Sequence, residues 1–250
     1  MGILRNGLLG LLLITGPTLG CSSEPLDDSP TDGAAGATGA PPVYMGACRA
    51  ALRQALGLVE SRSQADVQVL ETNGSELTLY VDASAGGIGM QDENPWVYVE
   101  LGSGTRVDIS DIEALESADW DLGIKRFILR SNSGDSGPGQ GGALRVGLPF
   151  DSVDESTLGS QNVPTESWFD ADCNLTSVSE DTNELVTTLS GWSEYDPATH
   201  VLRPAPDVTF LVRGGKGTLY KIAVVDYYAT PSGTTGTVAG RYLLRVAPLE

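Results

Sequence analysis

Apolar and polar residues alternate along several stretches of this chain, which is the pattern of strands with one buried face. In residues 76–82, every second residue from Leu77 to Val81 is apolar. The same alternation recurs in three stretches near the end of the chain: 208–213, 220–224 and 242–246. Three alternating strands joined by short, glycine- and serine-rich turns predict an antiparallel meander.

Two glycine-containing turns predict hairpins earlier in the chain. Asn73-Gly74 is the residue pair best able to take positive φ at both central positions of a tight turn. A second hairpin is expected where Gly102 to Gly104 separates two apolar runs.

Helical signals are few and short. Apolar residues recur at helical spacing from Cys48 to Val59, so a helix is expected to open the globular part. Ser110 and Glu113 have the spacing of a capping box and predict a short helical turn. We therefore expect residues 43–250 to form a single domain that is mostly β, antiparallel, and contains few short helices.

The first residues have the layout of a secretory signal peptide. Arg5 precedes an uncharged apolar run from Gly7 to Ile14, which is too short to span a bilayer permanently. Thr18 to Cys21 looks like a lipoprotein cleavage box, so we predict removal of residues 1–20 and lipidation of Cys21. Thr18 stands where leucine is usual, and an ordinary secretory peptide with a chance cysteine remains the alternative.

Residues 21–42 are predicted to be a disordered tether. Leu26 is the only large apolar residue in 22–42, which is otherwise dominated by proline, glycine, serine and aspartate. Such a segment has nothing with which to build a core, so it would hold the domain away from a membrane.

Charge excludes one class of partner. The chain has 15 basic and 33 acidic residues, a net charge of −18. Binding to nucleic acid relies on cationic side chains that displace counterions, so no nucleic-acid partner is expected. An anionic membrane surface would repel this protein as well, and attachment must come from the lipid.

Two cysteines remain when Cys21 is set aside. Cys48 and Cys173 form an even pair in a chain predicted to enter an oxidising compartment, so we expect a disulfide between them. Two buried thiols are the alternative, because spacing alone does not prove a bridge.

The most distinctive segment runs from Trp120 to Ala143. A strand-like run from Trp120 to Arg130 is followed by a loop with five glycines between Gly134 and Gly142. This segment resembles the HmuY-like family of bacterial haem-binding surface lipoproteins. Further segments in the family's order extend the resemblance over about 77–246, among them Gly191 to Tyr195, Phe210 to Arg213 and Asp226 to Tyr228.

Two catalytic interpretations of the glycine loop fail. A phosphate-binding loop would continue into Gly-Lys-Ser/Thr and a helix, and neither follows Gly142. The segment around Ser136 looks like the serine region of a chymotrypsin-like protease, but no histidine precedes it to act as base. We interpret the loop as a structural crossing over the sheet, and we do not expect an enzyme.

The resemblance implies haem or porphyrin binding in iron acquisition, at the outer membrane, on its periplasmic or its cell-surface face. Haem iron takes axial side-chain ligands, usually histidines in this family, and His200 is the only histidine of the chain. The axial candidates are therefore His200 alone or His200 with Met90. Trp192 and Tyr195 are expected to line the pocket.

No other metal site is expected. Asp170 to Asn174 has the oxygen spacing that opens a calcium loop, but leucine stands at the sixth position and aspartate at the twelfth. The alternative to haem binding is a ligand-independent surface lipoprotein that contacts another envelope protein or a polysaccharide.

Overall fold

Antiparallel strands make up most of the computed structural model, which describes residues 48–180 and 184–249. The predicted signal peptide, Cys21 and the predicted tether lie outside the described residues. The expected fold class, a mostly β antiparallel domain with few short helices, is confirmed. None of the described helices is long and apolar enough to cross a membrane.

The described residues contain twelve strands and two α-helices. The helices are α1 (Arg49–Ala55) and α2 (Asp111–Ala114), and 3-10 turns lie at Gln91–Glu93, Phe150–Ser152 and Glu155–Thr157. The strands are β1 (Val67–Asn73), β2 (Glu76–Asp82), β3 (Val97–Glu100), β4 (Thr105–Arg106), β5 (Leu122–Lys125), β6 (Ile128–Ser131), β7 (Gly142–Val146), β8 (Ser193–Asp196), β9 (Val201–Pro204), β10 (Thr209–Arg213), β11 (Leu219–Asp226) and β12 (Arg241–Pro248).

These strands form three sheets. A six-stranded sheet has the order β1-β2-β12-β11-β10-β7, a four-stranded sheet the order β4-β3-β5-β6, and β8 pairs with β9. Every pairing between the strands is antiparallel. The meander β10-β11-β12 is as predicted, and β12 continues it by pairing with β2, with Leu244 opposite Leu79.

The main core contains side chains from both larger sheets. Leu79 of β2 and Leu244 of β12 pack in one cluster with Val99 of β3 and Ile124 of β5. Tyr98 lies on the other face of β3 and belongs to a second cluster. Both faces of the four-stranded sheet are therefore buried.

The second core lies beneath α1. Leu52 and Leu56 from this helix region pack with Trp96, Trp120 and Trp168. Burial of three tryptophans provides a large apolar area, because each aromatic side chain removes about 150–250 Å² from water.

Local turn predictions held in part. Ser110 and Glu113 form the predicted capping box, in which Ser110 Oγ accepts from the Glu113 amide. The β1–β2 hairpin is confirmed, but the assignment of Asn73-Gly74 as its central pair was wrong by one residue. Asn73 pairs with Glu76, so the turn residues are Gly74 and Ser75, and φ of Gly74 is +63°.

The strand-like run from Trp120 to Arg130 is not one strand. It is the hairpin β5–β6, in which Lys125 pairs with Ile128 and Arg126 turns the chain with φ of +52°. Because both faces of this hairpin are buried, its sequence shows little alternation. The polar pair Lys125-Arg126 is the sequence signal of the turn between its strands.

Cys48 and Cys173 are joined by a disulfide in this structure. Cys48 is the N-cap residue of α1, and Cys173 lies in the loop after Trp168 and Phe169. The bridge connects residues 125 positions apart, so it fastens α1 and the second core to a distant loop.

We expect replacement of both cysteines, Cys48→Ser with Cys173→Ser, to lower the free energy of unfolding by about 2–5 kcal/mol, because a long loop is no longer closed in the unfolded chain. Urea unfolding of a fragment beginning at Ser22 measures this change. Thiol titration of the same fragment, unfolded without reductant, should find no free thiol. Two free thiols would rule out the bridge.

Candidate functional site

A buried guanidinium occupies the centre of the second core. Arg130 is fully buried, and its Cζ lies 4.6 Å from the ring centroid of Trp96 and 4.8 Å from that of Trp120. Its Nη1 donates to the carbonyl oxygen (2.6 Å) and the hydroxyl (2.8 Å) of Ser136, and its Nη2 donates to the Tyr98 hydroxyl (2.7 Å). The arginine thus connects β6, the aromatic cluster and the glycine loop.

Asp111 terminates this network on the side of α2. The Tyr98 hydroxyl donates to Asp111 Oδ1 at 3.1 Å, and the amides of Trp96 and Val59 donate to the same carboxylate, each at 3.0 Å. Burial raises the pKa of Asp111, and the amide hydrogen bonds oppose that rise. Burial also raises the pKa of Tyr98 well above its ordinary value. Hydrogen bonds between Arg130, Tyr98 and Asp111 therefore hold the second core in one arrangement.

The glycine loop closes around Asn132. Asn132 Nδ2 donates to the carbonyl oxygens of Trp120 (2.8 Å) and Ser117 (3.0 Å). Its Oδ1 accepts from the Gly139 amide at 2.9 Å, and its backbone carbonyl accepts from the Gly141 amide at 2.9 Å. A Cβ atom on Gly141 would lie 2.4 Å from that carbonyl oxygen. Glycine is needed here because the backbone passes directly over Asn132.

Ser136 is buried and has a structural role in the glycine loop. Its side chain is fully buried, and its hydroxyl bonds the Arg130 guanidinium. The neighbouring Asp135 accepts from the amides of Trp168 (2.5 Å) and Phe169 (3.1 Å). The resemblance of this segment to a serine protease therefore reflects loop packing, in agreement with the structural interpretation.

Tyr195 and His200 meet on the β8–β9 hairpin. The Tyr195 hydroxyl lies 2.5 Å from His200 Nδ1, and the Tyr195 side chain is 56% exposed. Asp196 holds the turn between them by accepting from the Ala198 amide (3.0 Å) and the Thr199 hydroxyl (2.7 Å). In the described part of the chain, no residue forms a hydrogen bond with His200 Nε2.

Met90 and Trp192 lie elsewhere. Met90 is 42% exposed in the loop before the Gln91–Glu93 turn. Trp192 is buried in the main core, where its ring packs against Tyr227 and Tyr242 and its Nε1 donates to the Phe127 carbonyl at 2.9 Å. Of the four predicted haem-site residues, the structure thus brings Tyr195 and His200 into contact.

A cavity of about 410 Å³ lies beside the Met90 loop, and we call it the Lys125 cavity. Its walls come from the end of α1, the loop 88–92, Trp96, the β5–β6 turn and the chain after residue 183. The residues concerned are Ala55, Leu56, Ile88, Gly89, Gln91, Asp92, Trp96, Lys125, Arg126, Phe127, Ile128, Glu184 and Leu185. Neither His200 nor Trp192 belongs to these walls.

Lys125 is the unusual group of this cavity. Its side chain is buried, its Nζ donates to the Gly57 carbonyl at 2.8 Å, and Nζ lies 5.8 Å from the Trp96 ring centroid. Burial lowers the pKa of Lys125 to about 8. Sequence reasoning missed this residue, although a lysine flanked by buried strand residues was a usable signal.

The acidic turn at Asp170 is held together from within. The Asp170 carboxylate accepts from the amides of Asp172 and Asn174, both at 2.9 Å, and from the Asn174 side chain at 3.0 Å. Among the described residues, no three or more His, Cys, Asp or Glu side chains are grouped to hold a metal ion.

Comparison with known families gives one match over most of the domain. The family described as HmuY protein matches residues 92–242, which is more than half of the chain. This range includes Arg130 and its partners Tyr98, Asp111 and Ser136, the glycine loop and the β8–β9 hairpin. No curated protein matches the sequence.

Solved structures with a similar arrangement share little sequence with this chain. A candidate lipoprotein from Bacteroides fragilis is 18% identical, with a TM-score of 0.42, over 73% of this chain and 96% of that one. A candidate HmuY-like haem-binding protein from Bacteroides vulgatus is 15% identical, with a TM-score of 0.44, over 74% and 100%. The apo HmuY analog of Tannerella forsythia is 15% identical, with a TM-score of 0.45, over 73% and 99%.

We expect Gly141→Ala to lower the free energy of unfolding by about 1–3 kcal/mol, since the added methyl would overlap the Asn132 carbonyl. Gly147→Ala is the matched control, because a Cβ there meets nothing within 4 Å. Urea unfolding of both variants measures the difference. Equal stability of the two would contradict the role assigned to Asn132.

We expect stability to rise with pH between about pH 8 and pH 9, because an unfolded lysine titrates at about 10.4 while folded Lys125 titrates at about 8. The unfolded chain binds more protons in this window, which increases the free energy of unfolding as pH rises. Nearer pH 10 the buried tyrosines oppose this rise, because burial raises the pKa of Tyr98, Tyr227 and Tyr242 and the unfolded chain loses those protons first. Urea midpoints across the window measure the slope. Lys125→Met should flatten it, whereas Lys216→Met should not, since Asp119 raises the pKa of Lys216. The same slope in Lys125→Met would refute this assignment.

Proposed function

Because the chain belongs to the HmuY family, we propose that it is a lipid-anchored envelope protein that binds haem or a related porphyrin. Cys21 carries the lipid in this proposal, and the domain stands on the periplasmic or cell-surface side of the outer membrane. The cargo serves iron acquisition.

The contact between Tyr195 and His200 is the observation that carries the ligand assignment. When Nδ1–H of a histidine donates to a neighbouring oxygen, Nε2 keeps its lone pair and the ring is held in one orientation. The Tyr195 hydroxyl at 2.5 Å provides such an oxygen. In this proposal His200 takes the tautomer in which Nδ1–H donates to the Tyr195 hydroxyl, which leaves the Nε2 lone pair for iron.

Ligation differs from a two-histidine site. The chain has one histidine, so a second histidine ligand within one chain is excluded by count. The haem is then five-coordinate through His200, or Met90 supplies the second axial donor. Met90 is accessible and is preceded by the glycines of residues 86–89, which permit a change of loop conformation.

The second candidate function is a surface lipoprotein that contacts another envelope protein or a polysaccharide without a haem cargo. Two observations favour it. Trp192, which was expected to line a haem pocket, is buried among core aromatics. His200 and Tyr195 lie on an exposed hairpin outside the walls of the Lys125 cavity.

A haemin titration of a fragment beginning at Ser22 separates the two candidates. If haem is the cargo, we expect a sharp Soret band that saturates at one haem per chain, because one axial nitrogen defines one site. His200→Ala should abolish that band, and Tyr195→Phe should weaken binding because the imidazole loses its orienting partner. Met90→Ala should change the spectrum if methionine is the second donor.

Val225→Ala is the matched control, since Val225 is an exposed apolar side chain of β11 and its loss tests adhesion of haemin to apolar surface. It should leave the titration unchanged. A broad, non-saturating band in the unmodified fragment would reject haem as cargo and favour the second candidate. A band unaffected by His200→Ala would reject His200 as ligand.

A further inference from the structure

The Lys125 cavity combines an apolar surface with one buried amine, and nothing in the haem assignment uses it. We propose that this cavity binds an amphipathic organic acid, with its carboxylate on Lys125 Nζ and its apolar body against Trp96, Phe127 and Ile128. Its volume of about 410 Å³ lies within the range of small-molecule sites, about 300–1,000 Å³.

Lys125 has unused hydrogen-bonding capacity. An ammonium group has three donors, and the described residues provide one hydrogen-bond acceptor for it, the Gly57 carbonyl at 2.8 Å. The Trp96 ring contributes a cation–π contact, with Nζ 5.8 Å from its centroid. A bound carboxylate would supply the missing acceptors and add to the negative charge that Asp111 and Asp92 already place near the amine.

The charges around the amine leave room for an anion. Asp111 on α2 and Asp92 in the loop 88–92 favour the charged amine, and Arg130 on β6 opposes it. Asp111 and Arg130 belong to the buried network described above. Arg126 on the β5–β6 turn donates to the Ala239 carbonyl at 3.0 Å. Asp92 and Glu184 are exposed, so water screens their repulsion of an anion better than it screens the buried amine.

Titration behaviour agrees with this geometry. Burial lowers the pKa of Lys125 to about 8 because the charged amine has lost its water. A bound carboxylate would restore a favourable environment for the charge and raise that pKa. Acid binding and protonation of Lys125 are therefore linked, and the linkage can be measured.

Two sources could provide this chemistry. One is a free fatty acid from a lipid surface, and the other is the carboxylate side chains of a porphyrin. Decanoate represents the first source, and haemin compared with its dimethyl ester represents the second.

The chain contains three lysines, Lys125, Lys216 and Lys221, so isotope-labelled lysine gives one NMR signal set for each. Decanoate should shift the Lys125 side-chain signals in a saturable way and raise the pKa read from them. The signals of Lys216, which pairs with Asp119, should remain in place. Decanol, which has the apolar chain without the charge, should bind at least tenfold more weakly.

Affinity for decanoate should fall about tenfold for each pH unit above the titration of Lys125, because only the charged amine pairs with the acid. Lys125→Met should weaken decanoate at least tenfold, and the matched control Lys216→Met should not. The pH profile of the unmodified protein tests the same point if Lys125→Met does not fold. Equal binding of decanoate and decanol, no binding of decanoate, or pH-independent affinity would overturn the proposal.

The haemin experiment identifies the source of the carboxylate. It also separates the proposal for the Lys125 cavity from the assignment of His200 as haem ligand. Competition of haemin with decanoate, lost with the dimethyl ester, would identify the porphyrin carboxylate as the natural group. Binding of decanoate without competition would identify a lipid acid. A Soret band that requires His200 but is indifferent to decanoate would leave both assignments standing at separate sites.

Discussion

The buried guanidinium of Arg130 is the constraint on which most of this domain depends. An ion that is moved out of water costs several kcal/mol unless its surroundings replace the water. Here two tryptophan rings lie beside the charge, and Ser136 and Tyr98 accept its hydrogen bonds. Its Nε is buried without a hydrogen-bond partner among the described residues, so this enclosure leaves one donor unsatisfied, at a cost of about 1–3 kcal/mol. The satisfied contacts hold the aromatic core, α2 and the glycine loop in one arrangement.

The distribution of glycines follows from that arrangement. The loop after β6 must return to Arg130 and pass over Asn132, so side chains are excluded where the two backbones touch. The turn between β10 and β11 packs against the same backbone around Trp120. A Cβ on Gly215 would lie 2.5 Å from the Trp120 carbonyl oxygen, and the Gly215 amide donates to Asp121 at 2.8 Å. The glycine loop after β6 and the glycine turn between β10 and β11 therefore mark places of close backbone packing.

The sequence predicted those parts of the fold in which one face of a strand is exposed to solvent and the other face is buried. Alternation identified β2 and the meander β10–β12, and the capping box identified α2. Alternation did not identify the β5–β6 hairpin, because burial on both faces removes the alternating pattern. Lys125 lies in this hairpin and was therefore not predicted as a site residue. The Tyr195–His200 contact depends on the pairing of β8 with β9 across a turn. The short stretch from Ser193 to Pro204 has no pattern that predicted this pairing. Trp192 is buried by tertiary packing, and the residues next to it in the sequence do not predict this burial.

The position of β12 has a consequence for the order of folding. This strand comes last among the twelve in the chain and yet lies between β2 and β11 in the six-stranded sheet. Its pairing of Leu244 with Leu79 joins residues that are far apart in sequence, a contact type associated with slow folding. The larger sheet cannot be completed until residues 241–248 have been synthesised and are free to pair. The central part of this sheet therefore depends on the last strand of the chain to reach its final order.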